Sequence, residues 1–552
     1  MEYEDLAKIY EKLESTSKGL EKTSIIADFL KKCLESELKE VIYLLQGRVF
    51  PAWDERKIGM SSKLMERVIA KSSGNSVDTV VRLLRKEGDL GIVAQQLMEK
   101  KVQRTLGFTY ITVNKVVENI RKLASMEGEG TVDRKIAIVS ELLTSAKPLE
   151  AKYIVRTVVE EMRAGVAEGK IRDALVWAFL PNVIGINASE EESKGAKQLL
   201  KLKDLDKFKG KVITADKKLA REIYKELVKR VENAYHIETD YGEIGLMLKQ
   251  RGLKGLKDSS LEPGKPLKVM LYPKAKDVPE AFKGLGKPAI AEKKIDGFRM
   301  QVHCSKGKIS LFTRRLENVT KQFPDVVEAV KNVHASSFIL DSEVVGLDMK
   351  TKKMVPFQQI SQRIKRKHDI ARMAKELPVK IIFFDAMYVN GDILLDQPFS
   401  ERRKRLEAVI RPLKDKVEII GQLKTGDEDK VNDFYDTALS EGYEGIMLKA
   451  VNGLYQPGRR VGYGFKLKPV MENLDLVIVG AELGEGKRAK WLASFTLACR
   501  RGNEFLEIGK VGTGIKEKGT SSVTFAELTR LLKPLMGKNG IEPKIIVEVA
   551  YE

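Results

Sequence analysis

The stretch Glu292-Lys293-Lys294-Ile295-Asp296-Gly297-Phe298-Arg299 decides how the middle of this chain folds. An apolar run, Pro288–Ala291, precedes it and predicts a strand that ends at Lys294. Asp296-Gly297 is a turn signal that ends this strand. From Phe298 onward, apolar and polar residues alternate, which predicts the next strand. Residues 292, 294 and 296 are spaced by two, so we expect their side chains on the same side of an extended chain.

Lys294 is the candidate nucleophile of this stretch. A lysine amine attacks only when it is neutral and correctly aimed. The ordinary lysine pKa is about 10.4, so a nucleophilic lysine must lose its proton locally, helped by burial or by neighbouring cations. The plain alternative is a solvent-facing lysine beside an ordinary hairpin turn, because Lys-x-Asp-Gly is common by chance.

Further motifs follow in order along the chain, and together they are more specific than the first one alone. They are Phe312–Thr320, Leu340–Glu343, Phe384–Tyr388, Glu441–Lys449 and Phe465–Lys468. The ordered series resembles the ATP-dependent DNA ligases, most closely the archaeal replicative type. These enzymes share a nucleotidyltransferase superfamily with RNA ligases and mRNA capping enzymes, and the resemblance extends over nearly the whole chain.

The resemblance implies an enzyme that seals nicks in duplex DNA through AMP carried on Lys294, using ATP and Mg²⁺, in replication, repair and recombination. Its nucleotide-contacting residues would be Glu292, Arg299, Arg314, Glu343, Phe384, Lys449, Arg460, Lys466 and Lys468. Glu343 and Glu444 would contact Mg²⁺, which binds few carboxylates together with phosphates and water.

Strand geometry bears on two of these residues, and two others also have a purely structural interpretation. Lys466 and Lys468 alternate with an apolar residue, so a strand would send both ammonium groups to one face. Phe384 is expected to stack on adenine, although the strand could bury it for packing instead. Glu292 is expected to select the base or to orient Lys294, and a surface salt bridge is the alternative.

The charge balance of the chain favours a polyanionic partner. Among 552 residues, Lys and Arg exceed Asp and Glu by 98 − 78 = 20. A charge-rich surface typical of heat-loving organisms would explain many charges of both signs but not this excess. We therefore expect nucleic acid, here nicked duplex DNA, as the partner of a monomeric protein.

Cysteine, histidine and hydropathy patterns exclude several other classes. Cys33, Cys304 and Cys499 lie far apart and form no zinc motif, and the four histidines are scattered. No apolar run is long enough to cross a bilayer, and the acidic start lacks the features of a signal peptide. The sequence thus predicts a cytoplasmic protein with reduced cysteines and without a membrane span.

Hydrophobic periodicity predicts a multidomain protein. Residues 1–255 have helical spacing and resemble the DNA-binding domain of replicative ligases, with a charged surface insertion at about 187–219. Residues 256–470 mix strands and helices and predict an α+β adenylation domain. Residues 471–552 predict a C-terminal β-barrel of the OB-fold type that is incomplete at its end.

Two features depart from the family, and three further points stay open. Many family members carry Trp where this chain has Gly464, and glycine cannot supply an aromatic wall, so the local packing must differ. Family members also continue beyond Glu552 with a basic motif that orients pyrophosphate, so we expect impaired self-adenylation of the chain as written. Gln103–Phe108 loosely resembles a sliding-clamp peptide. The alternatives to a DNA ligase are an RNA ligase, a capping enzyme or a non-catalytic DNA-binding scaffold, and the use of ADP or NAD stays open.

Overall fold

The structure, a computed structural model, divides into two compact units, Met1–Leu467 and Lys468–Glu552. It describes residues 1–54, 56–100, 110–126, 130–208, 210–348, 350–351, 353–365, 369–458, 462–469, 473–484, 488, 490–502, 504–517, 523–537 and 540–550.

The first unit begins with a helical region, as predicted. Its helices are α1 (Tyr3–Ser15), α2 (Gly19–Lys32), α3 (Glu35–Leu45), α4 (Ser62–Ser73), α5 (Val77–Glu87), α6 (Leu90–Glu99), α7 (Val113–Ala124), α8 (Thr131–Ser145), α9 (Pro148–Val158), α10 (Glu168–Phe179), α11 (Lys217–Glu238) and α12 (Tyr241–Arg251). Side chains of Ser61, Ser76, Asp89 and Thr112 accept hydrogen bonds from backbone N–H groups at the starts of α4 to α7. These caps satisfy donors that have no partner within the helix.

Sequence reasoning placed one helix start incorrectly. Thr23 and Ser24 precede a run of helically spaced apolar residues, which indicates helix caps, but α2 begins at Gly19. Thr23 lies inside the helix, where its hydroxyl donates to the Gly19 carbonyl at 3.1 Å. A threonine can satisfy its hydroxyl in this way one turn back, so its presence does not fix a helix start.

The charged segment at 187–219 is partly built into the helical core. Next to α10 and within the segment lie the short parallel strands β1 (Asn182–Val183), β2 (Lys197–Gln198) and β3 (Val212–Thr214), in the order β1-β3-β2. Leu199, Leu205 and Ile213 are buried in the core of the helical region. The charged residues suggested a surface insertion, whereas these three apolar residues anchor it.

The rest of the first unit is a mixed region of helices and strands. Its helices are α13 (Val278–Leu285), α14 (Pro324–Val330), α15 (Phe357–Lys365), α16 (Ile370–Glu376), α17 (Phe399–Val409) and α18 (Glu428–Ser440). Its strands are β4 (Ala289–Lys294), β5 (Phe298–Ser305), β6 (Lys308–Thr313), β7 (Phe338–Leu347), β8 (Met354–Val355), β9 (Val379–Val389), β10 (Asp392–Ile393), β11 (Val417–Ile419), β12 (Gln422–Thr425), β13 (Gly445–Ala450) and β14 (Gly464–Leu467).

These strands form two sheets, and the quoted stretch passes from one to the other. The small sheet has the order β12-β4-β13-β14, and the large sheet has the order β10-β9-β7-β5-β6, with β8 and β11 at its side. Thus β4 lies in the small sheet and β5 in the large one. The turn Asp296-Gly297 carries the chain between them, which places Lys294 where the sheets meet.

Gly297 is required at this turn by a close approach of backbone. A Cβ atom on Gly297 would lie 2.6 Å from the carbonyl oxygen of Val344 in β7. That distance is shorter than any non-bonded contact such atoms make, so only glycine lets the chain enter β5 this close to β7.

One face of the small sheet is covered by helices. Ala289, Ala291, Ile446, Leu448 and Leu467 pack into an apolar cluster with residues of α13 and α18. Because side chains alternate along a strand, the residues between them project to the opposite face. We therefore expect the functional side chains on the face of the small sheet that is not covered by α13 and α18.

The second unit is rich in strands. It contains β15 (Leu474–Leu483), β16 (Leu492–Arg501), β17 (Glu504–Val511), β18 (Met536–Gly537), β19 (Gly540–Ile541), β20 (Ile546–Val549) and the helix α19 (Phe525–Leu532). The main sheet has the antiparallel order β17-β16-β15-β20. Phe525, Leu528 and Leu532 of α19 share its apolar core with Phe495 and Leu497.

Within the described part of the chain, every helix is either too short or too polar to cross a bilayer.

Candidate active site

Lys294 is the last residue of β4, at the edge where the two sheets meet. The Glu444 N–H donates to the Lys294 carbonyl at 2.9 Å, and the Glu444 carboxylate forms an ion pair with the Lys294 amine. The Lys294 side chain keeps 20% of its surface exposed. The amine is therefore both aimed by a neighbour and open to a small molecule.

Strand register places further predicted residues on the face of the small sheet that carries Lys294. Glu292 lies opposite Met447, which lies opposite Lys466. One row further along, Ile290 lies opposite Lys449, which lies opposite Gly464. Residues that are paired or two apart share a face, so this face presents Lys294, Glu292, Lys449 and Lys466 together.

Glu292 is held firmly on this face. Its side chain is only 3% exposed, and its two oxygens have different partners. The Gln422 amide donates to one oxygen at 2.6 Å, and the Lys449 ammonium lies 2.6 Å from the other. Removing either partner would leave a buried acceptor unsatisfied, which is costly. The alternative of a surface salt bridge for Glu292 is therefore wrong.

Across from this face, Arg299 on β5 is fixed by the large sheet. Its Nε donates to Asp341 at 3.0 Å, and one of its terminal nitrogens donates to the Met270 carbonyl at 2.7 Å. The Tyr455 hydroxyl donates to the same Asp341 carboxylate at 3.0 Å. Asp341 is fully buried, and the Arg299 guanidinium compensates its negative charge. The same guanidinium faces the candidate site.

Glu343 follows Asp341 by two residues and lies opposite Arg299 in the sheet. The pKa of its carboxyl is raised to about 8, chiefly by burial; the charges of Arg299 and Lys294 lower it, and those of Asp341 and Glu444 add to the rise. The Glu343 side chain also lies beside the turn that follows Lys294, since its Cγ would be 2.9 Å from a Cβ atom on Gly297. A carboxylate pair of this kind could hold a divalent cation.

Phe384 faces the site while its neighbour does not. Phe383 is fully buried in the core of the large sheet, and Phe384 is half-buried. The Lys449 ammonium lies 4.9 Å from the centre of the Phe384 ring, and the Arg299 guanidinium lies 5.3 Å from it. Of the two neighbouring phenylalanines, Phe383 is therefore the one that packs in the core, and Phe384 keeps part of its ring exposed.

Comparison with known proteins identifies the family of the region that carries Lys294. The family model for the ATP dependent DNA ligase domain matches residues 269–468, and the model for the DNA ligase N terminus matches residues 2–176. A DNA ligase of Nanoarchaeum equitans is 44% identical over 562 residues, which covers 100% of this chain and 91% of the relative. The chain belongs to the ATP-dependent DNA ligases. Enzymes of this family form phosphodiester bonds.

Other relatives agree with this assignment. A DNA ligase of Archaeoglobus fulgidus is 37% identical over 560 residues, again covering 100% of this chain and 91% of the relative. The solved structure Pmar-Lig_PreS3 aligns with 98% of this ligase chain and 93% of its own, with a TM-score of 0.51 at 14% identity. At that identity the likeness concerns the fold alone.

Not every predicted residue joins the cluster around Lys294. Arg314 is exposed in the turn after β6. Lys468 directly follows the last residue of β14 and is the first residue of the second unit. Arg460 and the clamp-like stretch Gln103–Phe108 lie outside the described residues.

Several residues that shape the site of this ligase were not predicted from the sequence. Asp341 stands in the quoted motif two residues before Glu343, so its alternation with Glu343 was a usable signal. Gln422 and Tyr455 reach the site from distant parts of the chain. No local pattern marks them, because their role depends only on which strands and loops become neighbours.

Proposed function

We propose that this chain seals nicks in duplex DNA in three displacements at phosphorus, with AMP carried on Lys294 between the first and the second. The observation that supports this most strongly is the placement of Lys294. It ends a strand where two sheets meet, paired with Glu444, within the part of the chain that matches the ATP-dependent ligase domain.

In the first displacement the Lys294 amine, having lost its proton, attacks the α-phosphorus of ATP. The P–N bond forms, the bond to the bridging oxygen breaks, and pyrophosphate leaves. The 5′-phosphate at the nick then attacks this phosphorus and releases the lysine, which takes up a proton. Finally the 3′-hydroxyl attacks the activated 5′-phosphate, loses its proton, and AMP leaves with the sealed strand behind it.

Mg²⁺ fits the carboxylates of Glu343 and Glu444. No set of three or more His, Cys, Asp or Glu ligands converges among the described residues. Two carboxylates together with phosphate oxygens and water are the usual surroundings of Mg²⁺. The raised pKa of Glu343 fits as well, since a cation favours the ionised form of a crowded carboxyl. When bound, the ion would offset negative charge on the phosphates.

The remaining residues of the site position the nucleotide. Arg299, fixed by Asp341, offers donors to phosphate or ribose, and Lys466 adds a positive charge on the face that carries Lys294. Phe384 offers a ring to adenine, and Glu292 with Lys449 offers a fixed acceptor and donor to the base. Arg314, Arg460 and Lys468 stay predicted as nucleotide contacts.

The larger organisation is proposed on the same grounds. Residues 1–255 would bind duplex DNA, 256–470 would carry adenylation, and 471–552 would form an OB-fold domain. The excess of 20 positive charges supports contact with phosphates. We further propose a monomer that acts in the cytoplasm on the cell's own DNA, in replication, repair and recombination. Clamp binding through Gln103–Phe108 stays a prediction.

The test is covalent labelling of the purified chain with α-labelled ATP. We expect an acid-labile protein adduct that disappears in Lys294→Ala. Lys293→Ala is the matched control, since Lys293 lies on the opposite face and pairs with Glu441. Its adduct should persist. Label from GTP alone, or an adduct that survives in Lys294→Ala, would refute the proposed chemistry.

A second measurement separates the steps. Nicked DNA that already carries the 5′-adenylate needs no attack by Lys294. Lys294→Ala should therefore seal this substrate at a measurable rate while failing on an ordinary nick with ATP. If both substrates fail equally, the lysine supports the fold rather than the first displacement.

A further inference from the structure

Tyr272 fills a space that the face of the small sheet leaves open at Gly464. A Cβ atom on Gly464 would lie 2.6 to 2.9 Å from three atoms of the Tyr272 ring. Gly464 pairs with Lys449 and lies two residues before Lys466. Its missing side chain would therefore point to the face that presents Lys449, Glu292 and Lys466. The Tyr272 ring lies on that same face.

The position of this ring is fixed by backbone contacts. The Lys466 N–H donates to the Pro273 carbonyl at 2.9 Å, and the Ala275 N–H donates to the Lys466 carbonyl at 3.0 Å. The segment after Tyr272 thus runs along β14. The ring also packs against an apolar cluster that includes Met270 and Tyr455, yet it stays only half-buried.

The surroundings of the phenol place it beside the polar groups of the candidate site. Burial raises the pKa of Tyr272, and the negative charges of Asp385 and Glu292 raise it further. Lys449 lies opposite Gly464 in the sheet, and its ammonium lies 4.9 Å from the centre of the Phe384 ring. The buried Phe399 ring lies 4.5 Å from the same ammonium. Two partly exposed rings therefore border the space around Lys449, Phe384 on the large sheet and Tyr272 in the segment beside β14.

We propose that Tyr272 is a positioning residue for the adenine of ATP, forming the aromatic wall that faces the base across from Phe384. The inference rests on the proposed function, because it assigns the base to the space around Glu292 and Lys449. Successive same-face rows of a strand are about 7 Å apart, so this space is about 7 to 13 Å from Lys294. A nucleotide with its α-phosphate at Lys294 spans that distance.

The deciding variant is Tyr272→Leu, which keeps apolar packing but removes the ring. We expect the ATP concentration for half-maximal self-adenylation to rise about tenfold, the usual effect of losing an aromatic contact to a base. The rate at saturating ATP and the sealing of pre-adenylated nicks should change little. Tyr272→Phe keeps the ring and should stay within about twofold of the unmodified chain.

Tyr435→Ala is the matched control, because Tyr435 is also half-buried but packs on the opposite face of the small sheet. It should not alter the half-saturating ATP concentration. An unchanged value in Tyr272→Leu, or an equal rise in Tyr435→Ala, would overturn the role of Tyr272. Absence of any adduct in the unmodified chain would instead refute the proposed function itself.

A coupled pair tests the same inference without removing the tyrosine. Gly464→Ala introduces a methyl group that overlaps the ring and must displace it. We expect a rise in half-saturating ATP that is several-fold in the unmodified chain but absent when Tyr272→Leu is already present. Equal effects of Gly464→Ala in both backgrounds would show that the glycine acts independently of Tyr272.

Discussion

At the scale of single residues, Glu343 is a group of the candidate site whose pKa is strongly altered by its surroundings. Its ordinary pKa is about 4.3, and in the folded chain burial raises this to about 8. The folded protein therefore binds a proton between these two pH values that the unfolded chain does not. Stability gained from this proton is complete below about pH 4 and is lost as the pH rises through 8.

Replacing Glu343 with Gln removes the titrating group and should flatten this dependence. Without Mg²⁺, we expect the melting temperature of the unmodified chain to fall more steeply between pH 5 and pH 8 than that of Glu343→Gln. Circular dichroism melts at several pH values measure both. Glu441→Gln is the control, since Glu441 is partly exposed beside Lys293, and it should keep the unmodified slope.

The same carboxyl should connect pH to metal binding. A cation competes with the proton on Glu343, so Mg²⁺ should raise the melting temperature more at pH 8 than at pH 6. The difference should be smaller in Glu343→Gln. Equal responses to Mg²⁺ in the two proteins would argue against Glu343 as a ligand.

At the scale of elements, the turn between β4 and β5 controls how the two sheets meet. Gly297→Ala would bring a methyl group to 2.6 Å from the Val344 carbonyl and 2.9 Å from Glu343 Cγ. The strand pairing of β5 with β7 must shift, which we expect to cost about 1–3 kcal/mol of unfolding free energy. Self-adenylation should fall about a hundredfold, because a displacement of about 1 Å misaligns reacting groups.

Gly421→Ala is a suitable comparison for this variant. Gly421 lies in the loop between β11 and β12, and nothing stands within 4 Å of its added Cβ. Thermal unfolding and the rate of adduct formation should both remain close to those of the unmodified chain. If Gly297→Ala behaves like Gly421→Ala, the close approach to β7 does not constrain the site.

The positions of some strands can be predicted from the sequence, whereas the order of the strands in a sheet cannot. The alternation of apolar and polar residues from Phe298 to His303 predicted a strand correctly, since the period of two is a local property. The order β12-β4-β13-β14 could not be predicted, because it depends on which distant segments pair. The partners of Glu292, namely Gln422 and Lys449, were therefore not predicted to surround it.

For the same reason, the sequence could not show which residue fills the space beside Gly464. The sequence indicated that an aromatic wall was missing from β14, but it could not indicate what replaced it. Tyr272 lies far away in sequence and has no pattern of its own. Only the parallel contact of the Pro273–Ala275 segment with β14 brings its ring to the glycine.

At the scale of the whole molecule, the helical region and the two sheets form a single compact unit. The Thr239 hydroxyl donates to the Pro266 carbonyl at 2.7 Å, and the Lys268 N–H donates to the His236 carbonyl at 2.9 Å. These contacts join the end of α11 to the segment that leads to Tyr272 and β4. The proposed DNA-binding region is therefore linked directly to the segment that carries the candidate site.

The excess of 20 positive charges makes the last prediction one about affinity for DNA. Each lysine or arginine that contacts a phosphate releases counterions, so the binding constant for nicked duplex should fall at least about a hundredfold between 50 and 200 mM salt. Fluorescence anisotropy with a labelled nicked duplex measures this directly.

Self-adenylation in the same buffers is the internal control. It should vary much less, because contacts such as Glu292 with Lys449 are buried and poorly screened. A flat response of DNA affinity to salt would mean that the charge excess serves something other than contact with phosphates.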